Sequence, residues 1–245
     1  MANDWITPDW PAPTNVRTVS TTRAGGVSAG VYTSFNLGQH VGDDPRAVAE
    51  NRRHLRTVLG LRCEPRWLKQ IHGNRIALLT GSHVAEESDS AVTQYIHEAC
   101  VVMTADCLPV LFCDRAGKIV AAAHAGWRGL AASVLEATIS AMHTPPEEIL
   151  AWLGPAIGPD AYEVGEEVRA ALVNAHPQAD EAFEPVRAGK LLCDLYLLAS
   201  QRLRQAGVRH IYGGGFCTYS ERERFFSYRR DGECGRMASL IWLDN

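Results

Sequence analysis

Between Ala99 and His124 the chain carries three apolar runs, each of strand length: Ala99 to Ala105, Leu108 to Cys113 and Lys118 to His124. Such runs, with little room between them, commit the middle of the chain to β-structure. Asp114-Arg115-Ala116-Gly117 separates the last two and reads as a hairpin turn.

Around this centre further strands are expected at Val16 to Thr22, Arg66 to Gln70, Arg75 to Thr80, Ile149 to Leu153, Val208 to Tyr212, Glu223 to Tyr228 and Ala238 to Leu243. The second and third flank a turn at His72-Gly73-Asn74. Asp44 as N-cap and Pro45 at the first helical position start a helix that glycine ends at Gly60. Gly129 to His143, Gly165 to Ala175 and Leu191 to Ala206 read as helices. Leu130, Val134, Leu135, Ile139 and Met142 share one face of the first. Strands and helices mix without strict alternation, which favours α+β over a doubly wound sheet. With no repeat, linker or low-complexity stretch, residues 1–245 read as one domain.

A formal net charge of −4 argues against a nucleic-acid or anionic-membrane partner, since both call for a basic face. No apolar run approaches the roughly 20 residues that span a bilayer. The N-terminal MANDWITPDWPAPTN has no positive segment followed by an apolar one, so the cytoplasm is the expected location. There the seven dispersed cysteines should be thiols.

Three segments set reactive side chains at strand ends, the first and third beside glycines: Gln70-Ile71-His72-Gly73, Thr104-Ala105-Asp106-Cys107 and His124-Ala125-Gly126-Trp127-Arg128-Gly129. Imidazole and thiolate are the donors that zinc and copper prefer, and three of them leave one position open for catalysis. Spacing alone leaves two readings. His72, Cys107 and His124 are metal ligands, or they are a buried thiol and two hydrogen-bonded structural histidines. The remaining histidines, His40, His54, His83, His97, His143, His176 and His210, read as surface residues, and Cys113 as core.

These residues lie in a wider pattern: TTRAGGVS (21–28), SFNLG (34–38), QIHG (70–73), TADCLPVLF (104–112), HAGWRGL (124–130), YEVG (162–165) and FFSYRRDGECGRMASLIW (225–242). The pattern resembles the multicopper polyphenol oxidase (laccase-domain) family, also described as a purine nucleoside phosphorylase family, over nearly the whole chain. The resemblance implies that His72, Cys107 and His124 bind a metal, zinc or alternatively copper, and serve catalysis. It implies a four-layer α/β/β/α fold like that of the cytotoxic necrotizing factor cysteine hydrolases. It also implies phosphorolysis of adenosine, inosine and methylthioadenosine, and deamination of adenosine, by a monomer or homodimer acting on small molecules. Where many relatives carry cysteine after Gly-Pro, this chain has Ala156, which weakens any mechanism needing a second thiol.

Phosphorolysis calls for an anion clamp, and arginine suits phosphate. Arg23, Arg128, Arg229 and Arg230 are the candidates. Arg229 and Arg230 are expected to alternate along a strand, so that at most one faces the site. Gln70 and Asn36 carry amides able to bind a ribose hydroxyl or base, or to serve turn chemistry. Asp106, next to Cys107, reads as a supporting residue. Two other chemistries stay open: a copper-dependent polyphenol oxidase, and a Cys-His hydrolase editing peptidoglycan precursors. Nine histidines with no His-x-His pair are too few for a four-copper laccase.

Overall fold

The central apolar runs become neighbouring strands of two different sheets. A computed structural model describes residues 3–80 and 87–244; His83 lies outside them. In chain order the elements are β1 (Val16–Ser20), α1 (Pro45–Leu59), β2 (Arg66–Trp67), β3 (Ile76–Leu78), β4 (Ser90–Thr93), β5 (Ala99–Thr104), β6 (Leu108–Asp114) and β7 (Val120–Ala125). They continue with α2 (Trp127–Ala131), α3 (Val134–Ala141), β8 (Ile149–Leu153), β9 (Glu163–Gly165), α4 (Glu166–Val173), β10 (Phe183–Arg187), β11 (Lys190–Cys193), α5 (Leu195–Gln205), β12 (His210–Gly213), α6 (Tyr228–Asp231) and β13 (Met237–Leu243). The fold is mixed α+β, as expected. Among the described residues one sheet runs β1-β13-β5-β2, a second β12-β8-β6-β7-β4-β3, and a small third β10-β11-β9. No described helix is long and apolar enough to cross a membrane.

The two large sheets pack face to face. Cys100, Val102 and Ile241 from the first meet Ala91, Leu111, Cys113, Val120, Ala122 and Trp152 from the second in one buried cluster. The other face of the second sheet, with Leu108, Val110, Phe112, Ala121 and Ala123, is covered by Leu135 and Ile139 of α3 and by Leu198 and Leu203 of α5. The outer face of the first sheet, with Val19, Val101 and Leu240, is covered by Leu55 of α1 and by Phe35 and Leu37. Strands covered on both faces need apolar side chains at every position, which explains the continuous runs of β5 to β7.

Local chemistry places the element ends. Asp44 accepts from Arg46 N at 2.9 Å, and Gly60 closes α1 at φ 64°. Gly117 turns the β6–β7 hairpin at φ 63°, while Asp114 Oδ1 accepts from the amides of Lys118 and Ile119.

Four expectations need correction. The helix expected over 129–143 is two, because Ser133 adopts left-handed backbone at φ 67° between α2 and α3. The stretch from Leu191 begins as strand β11 and turns helical only after Asp194, whose side chain caps Leu197 N at 2.9 Å. Glu223 to Tyr228 is no strand: a turn at 222–224 is followed by irregular chain in which Phe225 and Phe226 are buried, and Arg229 and Arg230 lie in the short helix α6. The strands on either side of His72 are not partners, since β2 belongs to the first sheet and β3 to the second.

Candidate metal centre

The chain passes from the first sheet to the second twice in ways that matter here. One crossing is the segment between β2 and β3, which carries His72. The other is the short connection between β5 and β6, which carries Cys107. His124 lies near the end of β7, beside Cys107 across the β6–β7 pairing, in which Leu108 opposes Ala125. Their ligating atoms all fall within 4.8 Å of one another. The His72 and His124 rings meet edge to face, with centroids 4.8 Å apart.

Asp89, just ahead of β4, organises both histidines. It is fully buried, and Oδ1 sits 2.9 Å from His124 Nδ1. The same carboxylate accepts from the amides of Ile71 at 3.2 Å, His72 at 2.9 Å and Gly73 at 2.7 Å. His72 itself takes left-handed backbone at φ 60°, which costs a residue with a Cβ about 1–2 kcal/mol. Hydrogen bonds to a charged acceptor contribute about 1.5–3 kcal/mol each, so the three amides outweigh that cost. Gly126 makes room for the cluster: a Cβ there would stand 2.8 Å from Cys107 Sγ and 3.4 Å from His72 Cδ2.

The electrostatics follow from this packing. Burial alone would raise the Cys107 thiol, but the charge on His124 and hydrogen bonds from both histidines outweigh it and bring the thiol down. Burial alone would lower His124; the Cys107 thiolate and the Asp89 hydrogen bond push it up instead. Burial works against the Asp89 carboxylate too, yet His124 and the Gly73 and His72 amides hold it below its ordinary range. Thiolate, histidine and carboxylate thus form one charged chain. With Nδ1 of His124 engaged by Asp89, Nε2 is the nitrogen left to bind a metal beside Cys107, the arrangement usual for a metal-bound histidine. Two imidazoles and a thiolate this close fit zinc or copper, and no fourth histidine, cysteine or carboxylate joins the group among the described residues.

The cluster lies in the wall of a cavity of about 560 Å³, within the roughly 300–1,000 Å³ of small-molecule sites. Gln70 and Arg128 line it, as do Asp106, Tyr162, Tyr228, Arg229 and Arg236. Arg128 lies over the Trp127 ring, 4.4 Å from its centre. Gln70 lines the wall while its amide clasps Met103, donating to the carbonyl and accepting from the amide at 2.8 Å each. His40, read from sequence as a surface residue, also faces the cavity.

The fold does not bring Arg23 and Asn36 to this cavity. Arg23 lines a separate hollow with Thr33, Arg222 and Asp231, stacks on Phe226, and donates to the carbonyls of Thr33 and Arg222. Asn36 is fully buried and uses its amide on Gly38, Asp43 and the Arg236 backbone. Asp89 was not legible as a site residue. It stands in the polar stretch Glu86-Glu87-Ser88-Asp89, which reads as loop; the available hint is the general need of a ligating histidine for a carboxylate partner.

Residues 17–244 match the model of the multi-copper polyphenol oxidoreductase laccase family. The chain belongs to this family. Fellow members include the purine nucleoside phosphorylase PA4543 of Pseudomonas aeruginosa, 55% identical over 99% of this chain and 100% of its own. The purine nucleoside phosphorylase YfiH of Escherichia coli is 54% identical over 97% and 98% of the two chains. Among solved structures, Neisseria meningitidis protein NMB0706 superposes with a TM-score of 0.93 at 54% identity, covering 99% of this chain and 100% of that one. YlmD from Geobacillus stearothermophilus also reaches 0.93, at 32% identity, over 100% and 98% of the two chains.

Proposed function

We propose that this family member is a metal-dependent purine nucleoside phosphorylase working in the cavity beside His72, Cys107 and His124. The carrying observation is the convergence of these three donors, oriented by one buried carboxylate, in a cavity lined by arginine and aromatic side chains. The names of relatives about 55% identical over the full chain support the substrate class. In the reaction a phosphate oxygen bonds to C1′ of the ribose as the C1′–N9 bond breaks. The purine leaves with the bonding pair and takes a proton, giving free base and ribose 1-phosphate, or 5-methylthioribose 1-phosphate where the sugar carries the methylthio group. Adenosine, inosine and methylthioadenosine are the proposed substrates. Deamination of adenosine, in which water supplies oxygen to C6 and ammonia leaves, is proposed as a second activity of the same site.

His72, Cys107 and His124 would hold the metal, which we assign as zinc from the N and S donors. When bound it would supply Lewis-acid polarisation of a substrate oxygen or water. Trp127, Tyr162 and Tyr228 offer ring faces for the purine, and Arg128 and Gln70 remain candidates for substrate contact. The order α1, first sheet, second sheet, α3 with α5 supports the proposed four-layer α/β/β/α arrangement, for which we also propose a likeness to the cytotoxic necrotizing factor hydrolases. Multicopper oxidation finds less support, because only one group of three such donors exists among the described residues.

A second reading rests on the chain Cys107–His124–Asp89, whose lowered thiol and raised imidazole suit a Cys-His hydrolase. One experiment separates the two. Zinc-loaded protein is incubated with adenosine and phosphate, and products are followed by chromatography and mass spectrometry beside Cys107→Ala. Adenine and ribose 1-phosphate from the wild type alone support the phosphorylase, and inosine adds deamination. No turnover with zinc bound at one per chain sinks that reading in favour of the hydrolase.

A further inference from the structure

Many arginines in this chain pair with carboxylates, as Arg53 does with Glu50, Arg169 with Asp180 and Arg202 with Glu136, while Arg23 and Arg52 spend their guanidinium groups on backbone carbonyls. Arg229 and Arg236 line the metal-site cavity and form no ion pair among the described residues. Each is anchored on one side only. Arg229 donates from Nη1 to the Glu163 carbonyl at 2.6 Å and lies over the Tyr162 ring, 5.0 Å from its centre. Arg236 donates from Nη1 to the carbonyls of Cys234 at 2.8 Å and Gly235 at 3.0 Å, and lies 5.7 Å from the centre of Tyr228. In both, Nε and Nη2 make no hydrogen bond among the described residues. Those two groups form the side-on edge of the guanidinium, which bonds two oxygens of one anion at once.

Neighbouring arginines show that this pattern is not general. Arg230 spends Nη1 on the carbonyls of Thr218 and Tyr219, Nη2 on Phe225 and Asp231, and Nε on Asp231. Arg23 spends Nε and Nη2 on Thr33 and Nη1 on Arg222. The backbones of the two cavity arginines are also pinned. Arg229 N donates to Asp106 Oδ2 at 2.6 Å, and Arg236 N donates to Asn36 Oδ1 at 2.9 Å. Asp106, the carboxylate in the cavity lining, has its other oxygen 2.6 Å from the Thr218 hydroxyl, so neither of its oxygens pairs with a guanidinium edge. A cation stacked on a ring and anchored at one nitrogen has little freedom left to lose on binding.

We propose that Arg229 and Arg236 form a fork for a tetrahedral oxyanion, and that its ligand is orthophosphate. The inference rests on the phosphorylase reading for the use made of that phosphate, not for the binding. Asp106 and Asn36 become positioning residues, each holding the backbone of one prong.

The test is a calorimetric titration of inorganic phosphate into the metal-loaded, full-length protein, beside steady-state assays at varied phosphate. Wild type is compared with Arg229→Gln, Arg236→Gln and the two lysine variants, and metal content and melting temperature are recorded for each. Loss of hydrogen bonds to a charged group predicts that each glutamine variant binds phosphate about tenfold to a hundredfold more weakly, and raises KM for phosphate to match. KM for adenosine stays near the wild-type value. Lysine restores only part of the affinity, because an ammonium makes no side-on pair. Should a glutamine variant lose its fold, the lysine variants carry the comparison. Phosphate binding that is equal in wild type and all variants overturns the fork and leaves the phosphorylase reading standing. Absence of phosphate binding to wild type overturns it as well. Binding that depends on both arginines, without any ribose 1-phosphate formed, upholds the fork and removes the phosphorylase reading instead.

Discussion

Asp89 serves two ligands with one carboxylate: it orients the His124 ring and holds the turn that presents His72. Replacing it by asparagine keeps the size but removes the charge that four N–H groups share. Asp89→Asn should weaken metal affinity by about 10–100-fold, measured by competition with a chelator. An unchanged affinity would mean that the histidines are placed without it. Cys107 gives a second prediction. Its thiol is held down by the histidines, so in metal-stripped protein it should alkylate with iodoacetamide at neutral pH, where an ordinary thiol, with a pKa of about 8.5, is mostly protonated. Peptide mapping that finds Cys107 labelled only above that value would refute the charged chain. His72, Cys107 and His124 were legible because they stand at the ends of apolar runs within QIHG, TADC and HAGWRG, the motifs that carry the family resemblance. Asp89 was not, nor were His40 and Arg236, because what brings them to the cavity is contact between segments far apart in the chain.

At the scale of elements, the β7–α2 junction depends on a missing side chain. Gly126 has backbone angles open to any residue, φ −77° and ψ 170°, so its replacement is limited by contact and not by conformation. Gly126→Ala should therefore displace Cys107 Sγ, cut metal affinity sharply, and cost about 1–3 kcal/mol in chemical denaturation. Normal metal binding in that variant would show that the cluster yields freely. Elements whose ends carry their own chemistry were legible: Asp44, Pro45 and Gly60 bound α1, and Gly117 turns the hairpin. Elements set by tertiary contact were not. Strand β4, Ser90–Thr93, has polar ends that resemble loop, and Leu191 and Leu192 of β11 run on into the leucines of the helix that follows.

For the molecule as a whole, the sequence conveyed an α+β class but not the pairing of its strands, since apolar runs buried on both faces look alike in either sheet. The three donors span both crossings between the sheets, so a bound metal ties the sheets together at one end. Adding zinc to stripped protein should raise the melting temperature, by the equivalent of about 4 kcal/mol at a thousandfold excess over Kd. Cys107→Ala should lose most of that rise in differential scanning fluorimetry; a full rise in the variant would place the stabilising metal elsewhere.

The two crossings also set an order of events in time. His72 arrives on a separate segment that leaves one sheet for the other, whereas Cys107 and His124 sit together at the open end of a hairpin that is local in the chain. The hairpin can close early, because its strands are joined by a short turn. Cys107, at the base of β6, comes with it; His72 reaches the pair only once strands distant in sequence have been matched, which is the slow part of building a sheet. The finished donor set is therefore a late product of folding, and a nascent chain presents no complete trap for passing metal ions until its sheets have docked.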